Sequence, residues 1–258
     1  MSDNGNLPAP DDADLWIGLR RLTAARIGLK RSGASLATAP LLAFKLAHAQ
    51  ARDAVHAELD MTTLANDLRA LGLPVIAVDS ATVDKQTYLM RPDLGRCLTP
   101  DSEATLAQHA GDFDLVFAIS DGLSARAAQT HAAPVLAAAL VTMGKEAPRI
   151  APLVVVRHGR VAAGDAVARL LRADCVAVLI GERPGLSAPD SLGVYLTWRP
   201  GAQTSDADRN CISNIRPDGI GYADAGFKLV HLFNAMRQRG VSGVQLKDES
   251  DRLQIGNA

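Results

Sequence analysis

Short, continuous apolar runs separated by helical stretches constrain the fold of this chain more than any other feature of its sequence. Such strands, without apolar and polar alternation and with helices between them, are typical of a parallel sheet covered on both faces. Each run ends in a polar loop that contains glycine, and open α/β sheets bind ligands at this carboxyl edge. The runs are Leu115–Ile119, Leu153–Val156 and Val176–Ile180, with loops at Ser120–Gly122, Arg157–Arg160 and Gly181–Gly185.

Helical periodicity fills most of the remaining sequence. Predicted helices lie at residues 122–142, with an interruption at Pro134, at 163–172 and near 222–239, and Val194–Trp198 predicts a further strand. Before residue 95 the apolar spacing is helical, with Leu15, Leu19 and Leu22, a helix start at Thr38–Pro40, and Leu64, Leu68 and Leu71. The sequence therefore predicts an α/β protein: a disordered tail at 1–13, a helical region at 14–95 and a Rossmann-like, mostly parallel sheet domain at 96–258.

Composition and charge exclude several classes of function. The net charge of −1 and an aromatic content of 4% argue against a nucleic-acid binder. The three cysteines show neither zinc-finger spacing nor a disulfide framework, so we expect no metal site. The start is acidic and polar, and no apolar run approaches the roughly 18 residues of a membrane span. We therefore expect a cytoplasmic protein that contacts no membrane.

Familiar catalytic and nucleotide-binding patterns are missing. The sequence has no GxGxxG after a strand and no GxxxxGK[ST], which disfavours ordinary dinucleotide or P-loop binding. Ser124 followed by His131 invites a hydrolase interpretation, but the two lie on one helix face and no third residue orients the base. We expect instead that Ser120 and Asp121 cap the following helix and that Gly122 relieves a tight turn.

For four features of the sequence, both a structural and a functional interpretation stay open. Glu182 follows a buried strand, and it either closes its loop by pairing with Arg183 or accepts hydrogen bonds from a ligand. Cys211, in a small polar motif with Ser213 and Asn214, is either inert or in contact with a ligand. His158, at a strand end, is the histidine best placed for a ligand. The seven basic residues without an acid between Leu15 and Arg52 form either a solvated face or a docking surface for an acidic partner.

Six motifs occur in this chain in the order in which they occur in a known family. They cover the chain from about Trp16 to Lys247, and together they resemble the small (light) subunit of adenosylcobalamin-dependent ethanolamine ammonia-lyase. The motifs are Tyr88–Arg96, Ser120–Ser124, Gly181–Gly185, Pro189–Gly193, Asp208–Ile215 and Ser242–Lys247.

The resemblance implies a role in radical chemistry that a second chain carries out. In that family the large subunit binds ethanolamine and holds the catalytic residues, and a Rossmann-like domain of the small subunit covers the corrin of adenosylcobalamin. The products are acetaldehyde and ammonia. By resemblance, the cobalamin-binding positions are Val161, Glu182 and Cys211, and this chain has no catalytic residue and no cobalt ligand.

The resemblance also implies partners and a location. The partner is the large subunit, in a hetero-oligomer with several copies of each chain. Several relatives carry a longer N-terminal extension associated with packing into a bacterial microcompartment, so both the cytoplasm and a microcompartment stay open as locations.

Overall fold

The computed structural model describes residues 12–144 and 147–250 and shows an α/β fold. Within those residues there are eight α-helices and eight strands. The helices are α1 (Asp12–Arg20), α2 (Thr38–His56), α3 (Met61–Arg69), α4 (Lys85–Met90), α5 (Pro100–Ala107), α6 (Ala125–Met143), α7 (Ala163–Leu171) and α8 (Tyr222–Arg239). The strands are β1 (Arg31–Ser32), β2 (Ser35–Leu36), β3 (Val75–Asp79), β4 (Phe113–Ser120), β5 (Leu153–Arg157), β6 (Ala173–Gly181), β7 (Leu192–Trp198) and β8 (Arg209–Ile215).

Six of the strands form one mostly parallel sheet. Their order is β3-β5-β4-β6-β7-β8, in which the first four strands run parallel and β7 and β8 are antiparallel additions at one edge. The change of direction follows from the connections, because a parallel neighbour needs a long crossover while β6 returns to β7 through ten residues without a helix. The predicted α/β class and mostly parallel sheet are thus confirmed.

Two apolar cores cover the two faces of the sheet. Along β4 the side chains of Leu115, Phe117 and Ile119 face α3, α6 and α8. The alternate side chains of Val116 and Ala118 face α5 and α7. Burial on both faces explains why β4 and its neighbours are continuous apolar runs in the sequence.

Several details differ from the sequence prediction. Helix α6 runs unbroken through Pro134, so the predicted interruption is wrong; the burial of Val135 and Leu136 against the core outweighs the local cost of the proline. The region 14–95 is not wholly helical, because β3 adds an edge strand beside β5. The strand β8 was not expected from its polar sequence either. The domain boundary near residue 95 and the Rossmann-like label stay predictions.

Other predicted elements agree with the structure or lie outside its described part. Helix α2 begins at Thr38, and α8 spans Tyr222–Arg239. Of the predicted tail at 1–13, residues 1–11 lie outside the described residues, and α1 already includes Asp12. None of the helices in residues 12–144 and 147–250 is long and apolar enough to cross a bilayer.

Candidate functional site

An open cleft of about 490 Å³ lies at the carboxyl ends of the parallel strands. Loops that follow β4, β5 and β6 form one side, and the exposed faces of β7 and β8 form the other. Gly122, with φ +57°, lets the loop after β4 touch the end of β6, since a Cβ there would clash with the Gly181 carbonyl oxygen. This confirms the tight glycine turn. The side chains that line the cleft include Tyr88, Arg160, Val161, Glu182, Tyr195 and Ser213.

The structure brings two of the three candidate positions into this cleft and places the third beside it. Val161 and Glu182 both line the cleft, although they follow different strands. Cys211 is paired with Tyr195 across β7 and β8, and the Tyr195 ring also lines the cleft. Val161 is half-buried against the core under α7 and offers an apolar surface. The three positions therefore surround one opening.

The Glu182 carboxylate is held by β8 and not by Arg183. Its Oε1 accepts a hydrogen bond from the Ser213 hydroxyl at 2.5 Å, and its Oε2 accepts one from the Asn214 backbone N–H at 3.0 Å. Of the two interpretations of Glu182, the internal pair with Arg183 is therefore not what closes this loop. A carboxylate has about four acceptor positions, so each oxygen keeps capacity for a ligand donor.

Tyr195 and Cys211 form a neutral patch beside the carboxylate. Burial raises the pKa of the Tyr195 hydroxyl, and the neighbouring Cys211 adds to this shift. Partial burial of the sulfur beside Tyr195 also raises the pKa of the Cys211 thiol. Both groups are therefore protonated near neutral pH, and Cys211 contributes a thiol to the edge of the cleft, not a reactive thiolate.

A buried cluster of polar and charged side chains surrounds Asp121, in the loop that follows β4 beside the cleft. Asp121 Oδ2 accepts hydrogen bonds from His158 Nδ1 at 3.0 Å and from the Lys85 ammonium at 3.4 Å, and Ser120 Oγ donates to Oδ1 at 3.1 Å. Burial alone would raise the pKa of Asp121, but the His158 hydrogen bond and the Lys85 charge outweigh burial and lower it. His158 is thus committed to Asp121.

The Tyr88 ring connects this cluster to the cleft, because it contacts Lys85 and also lines the cleft. The Tyr88 ring contacts two cations: the Lys85 ammonium lies 5.0 Å from the ring centre and the Arg160 guanidinium 4.4 Å from it. Arg160 also donates to the Tyr88 carbonyl at 2.8 Å. Burial raises the pKa of Tyr88 to about 12, so the ring stays neutral beside two cations. Sequence reasoning missed this cluster because Lys85, Asp121 and His158 come from three segments, with 36 residues from Lys85 to Asp121 and 37 from Asp121 to His158.

Ser124 and His131 do not form a hydrolytic pair. The Ser124 hydroxyl caps α6 by accepting from the Ala127 backbone N–H at 3.3 Å, and it donates to the Pro189 carbonyl at 3.2 Å. His131 Nδ1 is hydrogen-bonded to the Tyr222 hydroxyl at 2.9 Å. The helix cap is therefore Ser124, and the expectation that Ser120 and Asp121 cap this helix is wrong because both are engaged with the sheet edge.

Replacing Ser124 by alanine is expected to destabilise the fold by about 1 kcal/mol, the usual cost of losing an N-cap. Urea unfolding followed by circular dichroism measures this difference. A variant as stable as the wild type would contradict the capping role. Ester hydrolysis by the wild type that Ser124→Ala abolishes would restore the hydrolase interpretation.

Comparison with known proteins finds one family along nearly the whole chain. Residues 13–247 match the model of the ethanolamine ammonia-lyase light chain. The chain is 48% identical over 262 residues to the ethanolamine ammonia-lyase small subunit of Azotobacter vinelandii, covering all of this chain and 96% of that protein. It is also 49% identical to the protein of that name from Xanthomonas campestris (96% and 93% coverage) and 46% identical to the one from Pseudomonas aeruginosa (97% and 93%).

Proposed function

The chain belongs to the ethanolamine ammonia-lyase light-chain family, and we propose that it completes the adenosylcobalamin site of a two-subunit ethanolamine ammonia-lyase. The enzyme would convert ethanolamine to acetaldehyde and ammonia, with the substrate site on the large subunit. The observation that carries this proposal is the joint position of Val161, Glu182 and Cys211 around one cleft at the carboxyl edge of the sheet.

The residues of the cleft fit one side of a corrin. A corrin has an apolar ring that needs apolar contact and peripheral amides that need hydrogen-bond partners. Val161 and the Tyr195 ring offer apolar contact, and the free acceptor positions of Glu182 offer hydrogen-bond partners. A cobalamin is larger than a cleft of about 490 Å³, so this chain would cover only part of the cofactor and leave the rest to a partner.

When bound, adenosylcobalamin supplies the radical that starts the reaction on ethanolamine. The residues of this chain bind and orient the cofactor and keep water from the side they cover. Glu182 accepts hydrogen bonds from an amide, Val161 contacts the ring, and Cys211 contributes a neutral thiol at the edge. In this proposal none of them touches ethanolamine, so the chain holds no catalytic residue.

The test of this proposal is equilibrium binding of adenosylcobalamin. Dialysis would compare the large subunit alone with the assembled complex. We expect tight binding only by the complex, because each chain would cover part of the cofactor. Equal affinity of the large subunit alone would favour a purely structural assembly role for this chain.

A docking surface for the large subunit lies next to the cleft. Helix α2 has 19 residues, of which only Ala47 and Ala54 are buried. Large apolar side chains stay exposed on α1 and α2, including Leu15, Ile17, Leu42 and Leu46. Exposed apolar surface of this extent marks an interaction site. The seven basic residues of this segment are Arg20, Arg21, Arg26, Lys30, Arg31, Lys45 and Arg52.

The segment also touches the loop that follows Glu182. Arg26 donates a hydrogen bond to the Leu186 carbonyl at 3.1 Å, which joins the docking surface to the β6–β7 loop. A partner seated on α1 and α2 would therefore lie beside the cleft and could cover the bound cofactor. Charge complementarity requires an acidic surface on that partner.

Reversing the charges of Arg21, Arg31 and Lys45 to glutamate is expected to weaken association with the large subunit at least about tenfold, most strongly at low salt. These three side chains are exposed, whereas Arg20 and Arg26 donate to backbone carbonyls and their loss would also disturb the fold. The matched control reverses the exposed Arg169, Arg239 and Lys247. Unchanged co-purification with the large subunit would refute this docking surface.

The remaining parts of the proposal concern assembly and location. We infer a hetero-oligomer with several copies of each chain, without nucleic acid or membrane as a partner. The cytoplasm and a bacterial microcompartment are the two locations that this assignment allows.

A further inference from the structure

The direction of the Glu182 carboxylate is set by two donors from β8, the strand that lies beyond β7 in the sheet. Ser213 Oγ binds Oε1 and the Asn214 N–H binds Oε2, so both oxygens are fixed at once. A carboxylate held at both oxygens cannot rotate about its last bond without losing one hydrogen bond. The free acceptor positions of Glu182 therefore keep a fixed direction at the cleft.

The backbone that carries these donors is itself held in place. Asn214 has φ +58°, in the left-handed region that asparagine tolerates better than most residues. Its carbonyl accepts a hydrogen bond from the Ile220 N–H at 2.9 Å, and its side-chain oxygen accepts one from Arg216 Nε at 3.0 Å. The turn after β8 thus fixes the donor that reaches Glu182.

The intervening strand β7 leaves room for the carboxylate. Gly193 in β7 lies against Glu182, and a Cβ at this position would stand 3.1 Å from Oε1 and 3.2 Å from Cγ. A side chain at position 193 would therefore require the Glu182 carboxylate to shift by a few tenths of an ångström. Gly193 of β7 thus leaves space for the Glu182 carboxylate, and β8 supplies its two hydrogen-bond donors.

We propose that Ser213 is a positioning residue for cobalamin binding, which acts by orienting the Glu182 carboxylate toward the cofactor amides. This inference rests on the function proposed above. The Asn214 N–H alone leaves the carboxylate free to turn. Without the Ser213 hydroxyl, the Glu182 side chain must be ordered when cobalamin binds, and this entropic cost lowers the affinity for cobalamin.

The test is the affinity of the complex of this chain with the large subunit for adenosylcobalamin, measured by equilibrium dialysis and not by turnover. Ser213→Ala is expected to raise the dissociation constant about two- to tenfold, the effect of leaving one side chain to be ordered on binding. Ser213→Thr keeps the hydroxyl and should restore the affinity. Ser187→Ala, an exposed serine in the β6–β7 loop, is the matched control. Ser213 is also exposed, and a thermal melt checks that the variants fold.

A double-mutant cycle separates positioning from a general structural effect. If Ser213 acts through Glu182, Ser213→Ala should have no further effect in the Glu182→Ala background. An equal loss in both backgrounds would overturn the inference, and so would an unchanged affinity of Ser213→Ala alone while Glu182→Ala weakens binding. If Glu182→Ala itself has no effect, the proposed cofactor site fails and the inference fails with it.

Discussion

Replacing Asp121 by alanine is expected to lower the free energy of unfolding by about 3–5 kcal/mol, the effect of leaving the buried Lys85 ammonium without its anionic partner. The side chains of Lys85 and His158 are only 9% and 11% exposed, and both bind Asp121 Oδ2. Without the carboxylate, the Lys85 ammonium keeps the Gly122 carbonyl and the uncharged Tyr88 ring, and neither carries a negative charge. Urea unfolding at neutral pH measures the loss.

The control for this prediction is Asp93→Ala. Asp93 also pairs with a cation, Arg91, but both side chains are 58% exposed and water screens them, so we expect little or no change in stability. A loss for Asp121→Ala as small as for the control would show that the buried cluster does not hold the sheet edge together.

The pH dependence of stability follows from the lowered pKa of Asp121. Because folding lowers this pKa, the carboxylate stabilises the fold fully at pH values above the ordinary aspartate pKa of about 3.9. That contribution is lost as the pH falls through the folded-state pKa. We therefore expect the stability difference between wild type and Asp121→Ala to shrink on acidification below about pH 4. A difference that stays constant down to strongly acidic pH would contradict the lowered pKa.

Replacing Glu182 by alanine is expected to raise the dissociation constant for adenosylcobalamin about 10- to 150-fold. The range corresponds to the loss of a hydrogen bond to a charged group, about 1.5–3 kcal/mol. The change would also release the Ser213 hydroxyl and the Asn214 N–H, which makes Glu182→Gln a useful intermediate that keeps one acceptor oxygen. Binding to the complex with the large subunit is measured by equilibrium dialysis.

Glu103→Ala is the matched control, since Glu103 lies on α5 and not in the cleft. We expect it to leave the cobalamin affinity unchanged. An unchanged affinity for Glu182→Ala would instead support the alternative in which this chain only assembles the enzyme and never contacts the cofactor.

The apolar runs predicted the centre of the sheet because parallel strands buried on both faces must be apolar throughout. This holds for β4, β5 and β6. The same apolar runs predicted that Val161 and Glu182 lie at the carboxyl edge of the sheet, where the structure has them. The two strands of the six-stranded sheet that the sequence did not predict, β3 and β8, break that rule. The edge strand β3 buries only Ile76 and Val78, and the apolar side chains that β8 buries, Ile212 and Ile215, stand three residues apart among polar residues.

Contacts between distant segments limited the prediction of the site. From the local sequence, Arg183 is the natural partner of Glu182, but the partners observed are Ser213 and Asn214, 31 and 32 residues away. Likewise Asp121 looks like a helix cap, and only the packing of β4 against β5 brings His158 to it. Pairings of this kind depend on strand order, which periodicity does not reveal.

The most direct test of the proposed function is ammonia release from ethanolamine in the presence of adenosylcobalamin. The assay compares this chain, a large subunit from the same family and the two mixed. We expect activity only in the mixture, because the cofactor site would need both chains. Full activity of the large subunit alone would contradict the claim that this chain completes the cobalamin site.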